Sequence, residues 1–189
     1  MNVSSLFRMP FSPRATWPEL ARIDSTVAKT FWFLVVPLSL LPPAMIYWAG
    51  SQYGDAFVEG FSSKPWAIIA AVFFLCEITS VAVMGWLIRH VARAWNEQVS
   101  YRDAYVLAAI APIPLWLSSL GLLVASLAFN VALSAVALMV SCALVFQGVR
   151  SFCKISEDAI GHAFSITQLV FGAGLGAWGF LILLLIVYG

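Results

Sequence analysis

From Ala104 to Val149 the chain carries no charged side chain, a run of 46 residues. Crossing the hydrocarbon core of a bilayer takes about 20 residues of helix, so the run holds two crossings and a tight connection. Ser126 to Asn130 supplies polar, turn-favouring residues for that connection, and the two crossings form an antiparallel hairpin. The rest of the chain agrees. Only 10% of its residues are charged, against about 25% in soluble domains, which makes lipid rather than water the main solvent.

Scanning for further apolar runs predicts an all-α integral membrane bundle of five transmembrane helices, with spans at about 30–49, 66–88, 104–125, 131–148 and 163–188. Residues 29–189 form the membrane domain, and 1–28 form an N-terminal segment with Arg8, Arg14 and Arg22 but no apolar core of the signal-peptide kind. Within that segment Thr16-Trp17-Pro18-Glu19 has the form of a capping box. Leu20, Ile23 and Val27 follow at helical spacing, so a short amphipathic helix is expected on the membrane surface, as an interfacial anchor or a partner-docking element. Of the ten Lys and Arg residues, four precede the first span (Arg8, Arg14, Arg22, Lys29), three lie between the second and third (Arg89, Arg93, Arg102), and two between the fourth and fifth (Arg150, Lys154). Only Lys64 falls on the other side. The positive-inside bias then predicts a cytoplasmic N-terminus and an external C-terminus. A net charge of +1 leaves no basic stripe to neutralise phosphates, so nucleic acid is not an expected partner.

The third span starts with a signal and breaks in its middle. Ser100 and Asp103 have capping-box spacing, and a carboxylate in the first turn meets the positive end of the helix dipole, so a helix is predicted to begin near Tyr101. Pro112 and Pro114 then remove two backbone donors and free the carbonyls of Ala108 and Ile110. Pro37, Pro42 and Pro43 interrupt the first span in the same way. Each set reads as a packing kink or as a polar opening at the bilayer midplane.

The run from Tyr101 to Leu117, Tyr-Arg-Asp-Ala-Tyr-Val-Leu-Ala-Ala-Ile-Ala-Pro-Ile-Pro-Leu-Trp-Leu, resembles the central motif of the bacterial branch of the YIP (Ypt-interacting protein) domain family. Val36-Pro37-Leu38-Ser39-Leu40-Leu41-Pro42 resembles that family's proline-bearing first span, and Phe146-Gln147-Gly148-Val149 resembles the end of its fourth. The likeness covers most of the chain from Trp17 on. It implies a multi-span protein with a role in membrane organisation, and it makes Tyr101, Asp103 and Tyr105 a family-motif anchor at the cytoplasmic face. Eukaryotic members bind Rab-type GTPases, but the Asp-Leu-Tyr-Gly-Pro motif of that branch is missing here.

Glu77 is the one charge inside the second span, eleven residues after Trp66 and eleven before Ile88. At that depth an acid costs about 2.5–3.5 kcal/mol and cannot snorkel to the headgroups. It is therefore expected to face the bundle interior as a neutral acid, donating to a proline-freed carbonyl or to the hydroxyl of Ser118 or Ser119. It either bridges two helices or serves as a proton or cation site. In the fifth span Gly172, Gly176 and Gly179 share one face, fit for close helix packing within the chain or across a dimer. Cys76, Cys142 and Cys153 form no disulfide framework, and His90 and His162 belong to no spaced ligand pair, so neither metal nor cofactor is expected. With one intramembrane carboxylate and no histidine beside it, the spans lack the paired groups of a hydrolase. The expected function is that of a non-enzymatic membrane adaptor or organiser of the inner membrane if the source is bacterial, with the bilayer, a second copy or another membrane protein as partner. The alternative is a small transporter or channel subunit centred on Glu77.

Overall fold

The computed structural model describes residues 26–56, 59–95, 99–152, 155 and 160–188, with side chains described as far as Gly179. The surface helix expected before Val27 lies outside these residues. Among the described residues there is no strand, and five helical segments are long and apolar enough to cross a membrane: Val27–Ala56, Trp66–Ala94, Tyr101–Leu123, Leu127–Phe152 and Ile160–Gly179.

The first span is assembled from pieces. Helix α1 (Val27–Thr30) passes into a π-helical turn, Phe31–Val35, then α2 (Val36–Ser39) and α3 (Leu41–Tyr53). Pro37 falls in the first turn of α2, and Pro42 and Pro43 open α3. A missing N–H costs nothing in a first turn, so each proline sits where a new helix starts rather than inside an unbroken one. The second span is one helix, α4 (Trp66–Ala94), of 29 residues. At 1.5 Å per residue it runs for about 44 Å, longer than the roughly 30 Å hydrocarbon layer, so its last turns carry Arg89, His90 and Arg93 toward the surface.

The third span is broken where its prolines fall, into α5 (Tyr101–Ile110) and α6 (Ile113–Ser118), with a closing 3₁₀ turn over Ser119–Leu123. Helix α5 starts at the expected residue: the Ser100 hydroxyl accepts the backbone N–H of Asp103 at 3.1 Å and donates to the Asp103 carboxylate at 2.7 Å. The fourth span, α7 (Leu127–Phe152), begins earlier than the sequence suggested. Ser126 and Asn130 do not form a loop. Ser126 Oγ accepts the N–H of Phe129 at 3.4 Å, and the Asn130 amide folds back on the carbonyls of Val124 and Ser126, each at 2.9 Å. Residues expected in a loop thus seal a helix start, and the turn shrinks to Val124–Ser126. The fifth span is α8 (Ile160–Tyr188).

Helix α5 is the axis of the bundle. Every residue from Ala104 to Ile110 is buried, with α4, α7 and the first span packed around it and α8 closing against α4 and α7. Large apolar side chains such as Phe33, Ile68, Leu127 and Met139 remain more than 60% exposed. In water such a surface would drive aggregation, whereas in a bilayer it is what lipid tails cover. The spans alternate in direction: the Tyr53 hydroxyl at the end of the first donates to the Leu122 carbonyl at the end of the third, while the ring of Trp95 after the second lies 4.8 Å from that of His162 in the fifth.

Candidate functional site

The best-defined polar contact inside the bundle joins spans two and three. Indole Nε1 of Trp116 donates to Glu77 Oε2 at 2.6 Å. Trp116 is 1% exposed and Glu77 half-buried, so the acid faces the interior. Its partner is not the one expected. Ser118 and Ser119 donate instead to the carbonyls of Leu115 and Trp116, at 2.8 and 2.6 Å. Those carbonyls lie three residues back on the same tight helix, so each hydroxyl is satisfied locally and has no need to reach another span. The carboxyl therefore acts as an acceptor here, because an indole N–H can only donate.

The broken segments gather beside this contact. Helix α2 packs against both α4 and α6, bringing the interruption at Pro37, Pro42 and Pro43 to the one at Pro112 and Pro114. Ala111 N–H still reaches the Leu107 carbonyl at 3.0 Å, and Trp116 N–H reaches that of Pro112 at 2.9 Å, so the backbone is stitched up to and just past the break. Ser39 is fully buried there and donates to the Val36 carbonyl at 3.3 Å.

Close to the start of α5, Tyr105 lies against a glycine that sequence reasoning passed over. A methyl group placed on Gly85 would stand 3.0 Å from the Tyr105 Cα, so spans two and three touch almost backbone to backbone. The Tyr101 hydroxyl donates to the Ala82 carbonyl at 3.4 Å, and its ring centre is 6.0 Å from that of Tyr105. Gly50 likewise leaves room for the ring of Trp66. A glycine in an apolar run was the available signal in both cases.

The glycines of the fifth span behave differently from the intrachain half of the expectation. Among the described residues nothing comes within 4 Å of a methyl group built on Gly172, Gly176 or Gly179, whereas one on Gly174 would meet Met84 Cε at 2.8 Å. Helix α8 thus turns Gly174 inward and leaves the three-glycine face clear of the described residues. His90 stacks on Trp86, with ring centres 5.1 Å apart, and His162 lies against Trp95. Among the described residues no three His, Cys, Asp or Glu side chains gather. Cys153 lies outside them.

A helical bundle with five membrane-length spans, an apolar exterior and a side-chain hydrogen bond joining two spans at Glu77 is a multi-pass integral membrane protein. The Yip1 domain family model matches residues 7–187, and the chain belongs to that family. Among curated proteins it is similar to Inner membrane protein YohC of Escherichia coli K12 and of Escherichia coli O6:H1 strain CFT073, at 27% identity in each case over 155 residues, covering 80% of this chain and 79% of each relative. No solved structure matches.

Proposed function

We propose that this Yip1-family protein is a non-enzymatic organiser or adaptor of a bacterial inner membrane, acting through its lipid-facing helix surfaces and its basic face. The observation that carries this reading is the state of Glu77. The single acid at the midplane is engaged by a buried indole of the neighbouring span at 2.6 Å, which supports a joint between helices over an open coordination site. Supporting this, the glycine face of α8 offers a second copy or another membrane protein a place for close backbone approach. The charge asymmetry favours a cytoplasmic N-terminus and an external C-terminus.

A second reading, a proton or cation carrier, draws on a different observation: interrupted helices of two spans meet beside the acid, as in transporters that coordinate ions with broken helices. Flux measurement in proteoliposomes separates the two. An organiser gives proton and monovalent-cation leakage no higher than protein-free vesicles, for the wild-type chain and for Glu77→Gln alike. Flux that requires the wild-type protein and disappears in Glu77→Gln overturns the organiser reading in favour of transport.

A further inference from the structure

The ends of spans two and four and the starts of spans three and five gather at one face, and among the described residues it carries Arg89, Arg93, Arg102 and Arg150. The acid described there, Asp103, is bonded to Ser100 in the helix cap. The connections also contain Glu97, Lys154, Glu157 and Asp158, which lie outside the described residues. Two of the arginines are unusual. Both Arg89 and Arg150 are half-buried, and in each the Nε atom is enclosed with no hydrogen-bond acceptor among the described residues. Each sits inside the last turns of a helix, α4 or α7, and both helices pack against α5 and α8.

A partly desolvated guanidinium is costly, and an anion bound by its outward N–H groups offsets the charge while the enclosed Nε–H itself stays unpaired. The depth of the site says which anion is at hand. Trp86, 55% exposed and three residues before Arg89, stacks on His90, the residue after it, and Phe146 lies under the Arg150 guanidinium at 5.9 Å. Amphipathic rings such as those of Trp86 and His90 mark the boundary between acyl chains and headgroups. At that height the abundant oxyanion is the lipid phosphodiester, which a planar guanidinium grips with paired N–H groups.

We infer that this face holds anionic phospholipid headgroups, with Arg89 and Arg150 each donating to the phosphate oxygens of a lipid beside its own helix and Arg93 and Arg102 adding the field that favours a net negative lipid over a zwitterionic one. The site concerns lipid selection at one leaflet and stands whether or not Glu77 proves to be a structural joint.

The test is native mass spectrometry of the full chain released from nanodiscs of phosphatidylcholine mixed with phosphatidylglycerol. The wild-type protein should keep phosphatidylglycerol in preference. Arg89→Gln and Arg150→Gln should each lower that retention about fivefold, as expected for one basic residue near a charged headgroup. Arg93→Gln, at an exposed position, should lower it less. Arg89→Lys and Arg150→Lys keep the charge but not the planar fork, so their retention should fall between wild type and the glutamine variants even if a glutamine variant folds poorly. Equal retention of both lipids, or retention unchanged in the lysine and glutamine variants, overturns the proposal. Displacement of the lipid by inorganic phosphate at comparable concentration would likewise overturn it, by showing a site for the free anion.

Discussion

At the level of single residues, the bundle depends on positions where side-chain size is absent or a polar atom is matched. Gly85 is the clearest case of the first. The Tyr105 backbone occupies the space a side chain would need, so Gly85→Leu must push α4 and α5 apart along a buried stretch where dispersion contacts hold the helices together. Overpacking of this kind costs about 1–3 kcal/mol. Thermal unfolding in mild detergent should show Gly85→Leu with a clearly lower midpoint than wild type, and an unchanged midpoint would mean that the two backbones are not in contact. Trp116 and Glu77 are the case of the second. That Glu77 turns inward was legible from its depth alone, since an acid at the midplane has nowhere else to go. Its partner was not, because a tryptophan in an apolar span reads as bulk. The direction of its indole depends on how Pro112 and Pro114 rotate α6, which no spacing rule supplies.

Among the elements, the proline-broken spans and the fifth helix show how far pattern reading carries. The starts of α2, α3 and α6 follow from prolines that favour first turns, and the start of α5 follows from its Ser100–Asp103 cap. The fourth span was misjudged at its beginning because Ser126 and Asn130 are turn formers by composition, yet here their side chains cap a helix. Glycine spacing groups Gly172, Gly176 and Gly179 on one side of α8 but does not say what lies opposite them. Which face meets the bundle depends on the helix's rotation, set by neighbours such as Met84. The consequence is a separable pair of variants. Gly174→Leu should lower the stability of the single chain, moderated by the flexible end of Met84. Gly176→Leu should leave that stability near wild type and act, if at all, on oligomer content measured by mass in mild detergent. A loss of monomer stability from Gly176→Leu exceeding that from Gly174→Leu would contradict the rotation of α8 described above.

For the molecule as a whole, five alternating spans and a strong asymmetry of Lys and Arg make its orientation testable at one position. By the spans read from the sequence, Cys153 is the one cysteine expected in a connection. A membrane-impermeant thiol reagent should label it only after cells are opened, and labelling in intact, sealed cells would reverse the expected topology. The number of spans and their order were readable from charge-free length, because a bilayer imposes one solution on such runs. How the spans pack was not readable, since lipid and protein interior are equally apolar and burial leaves little periodic trace. The joint between spans two and three is where that packing is most specific, and a double-mutant cycle with Glu77→Leu and Trp116→Phe in reversible unfolding of the reconstituted protein measures it directly. An interhelical hydrogen bond in lipid predicts a coupling of about 0.6–1.7 kcal/mol between the two substitutions. Additive effects, with coupling below about 0.3 kcal/mol, would contradict the claim that Trp116 and Glu77 hold these helices together.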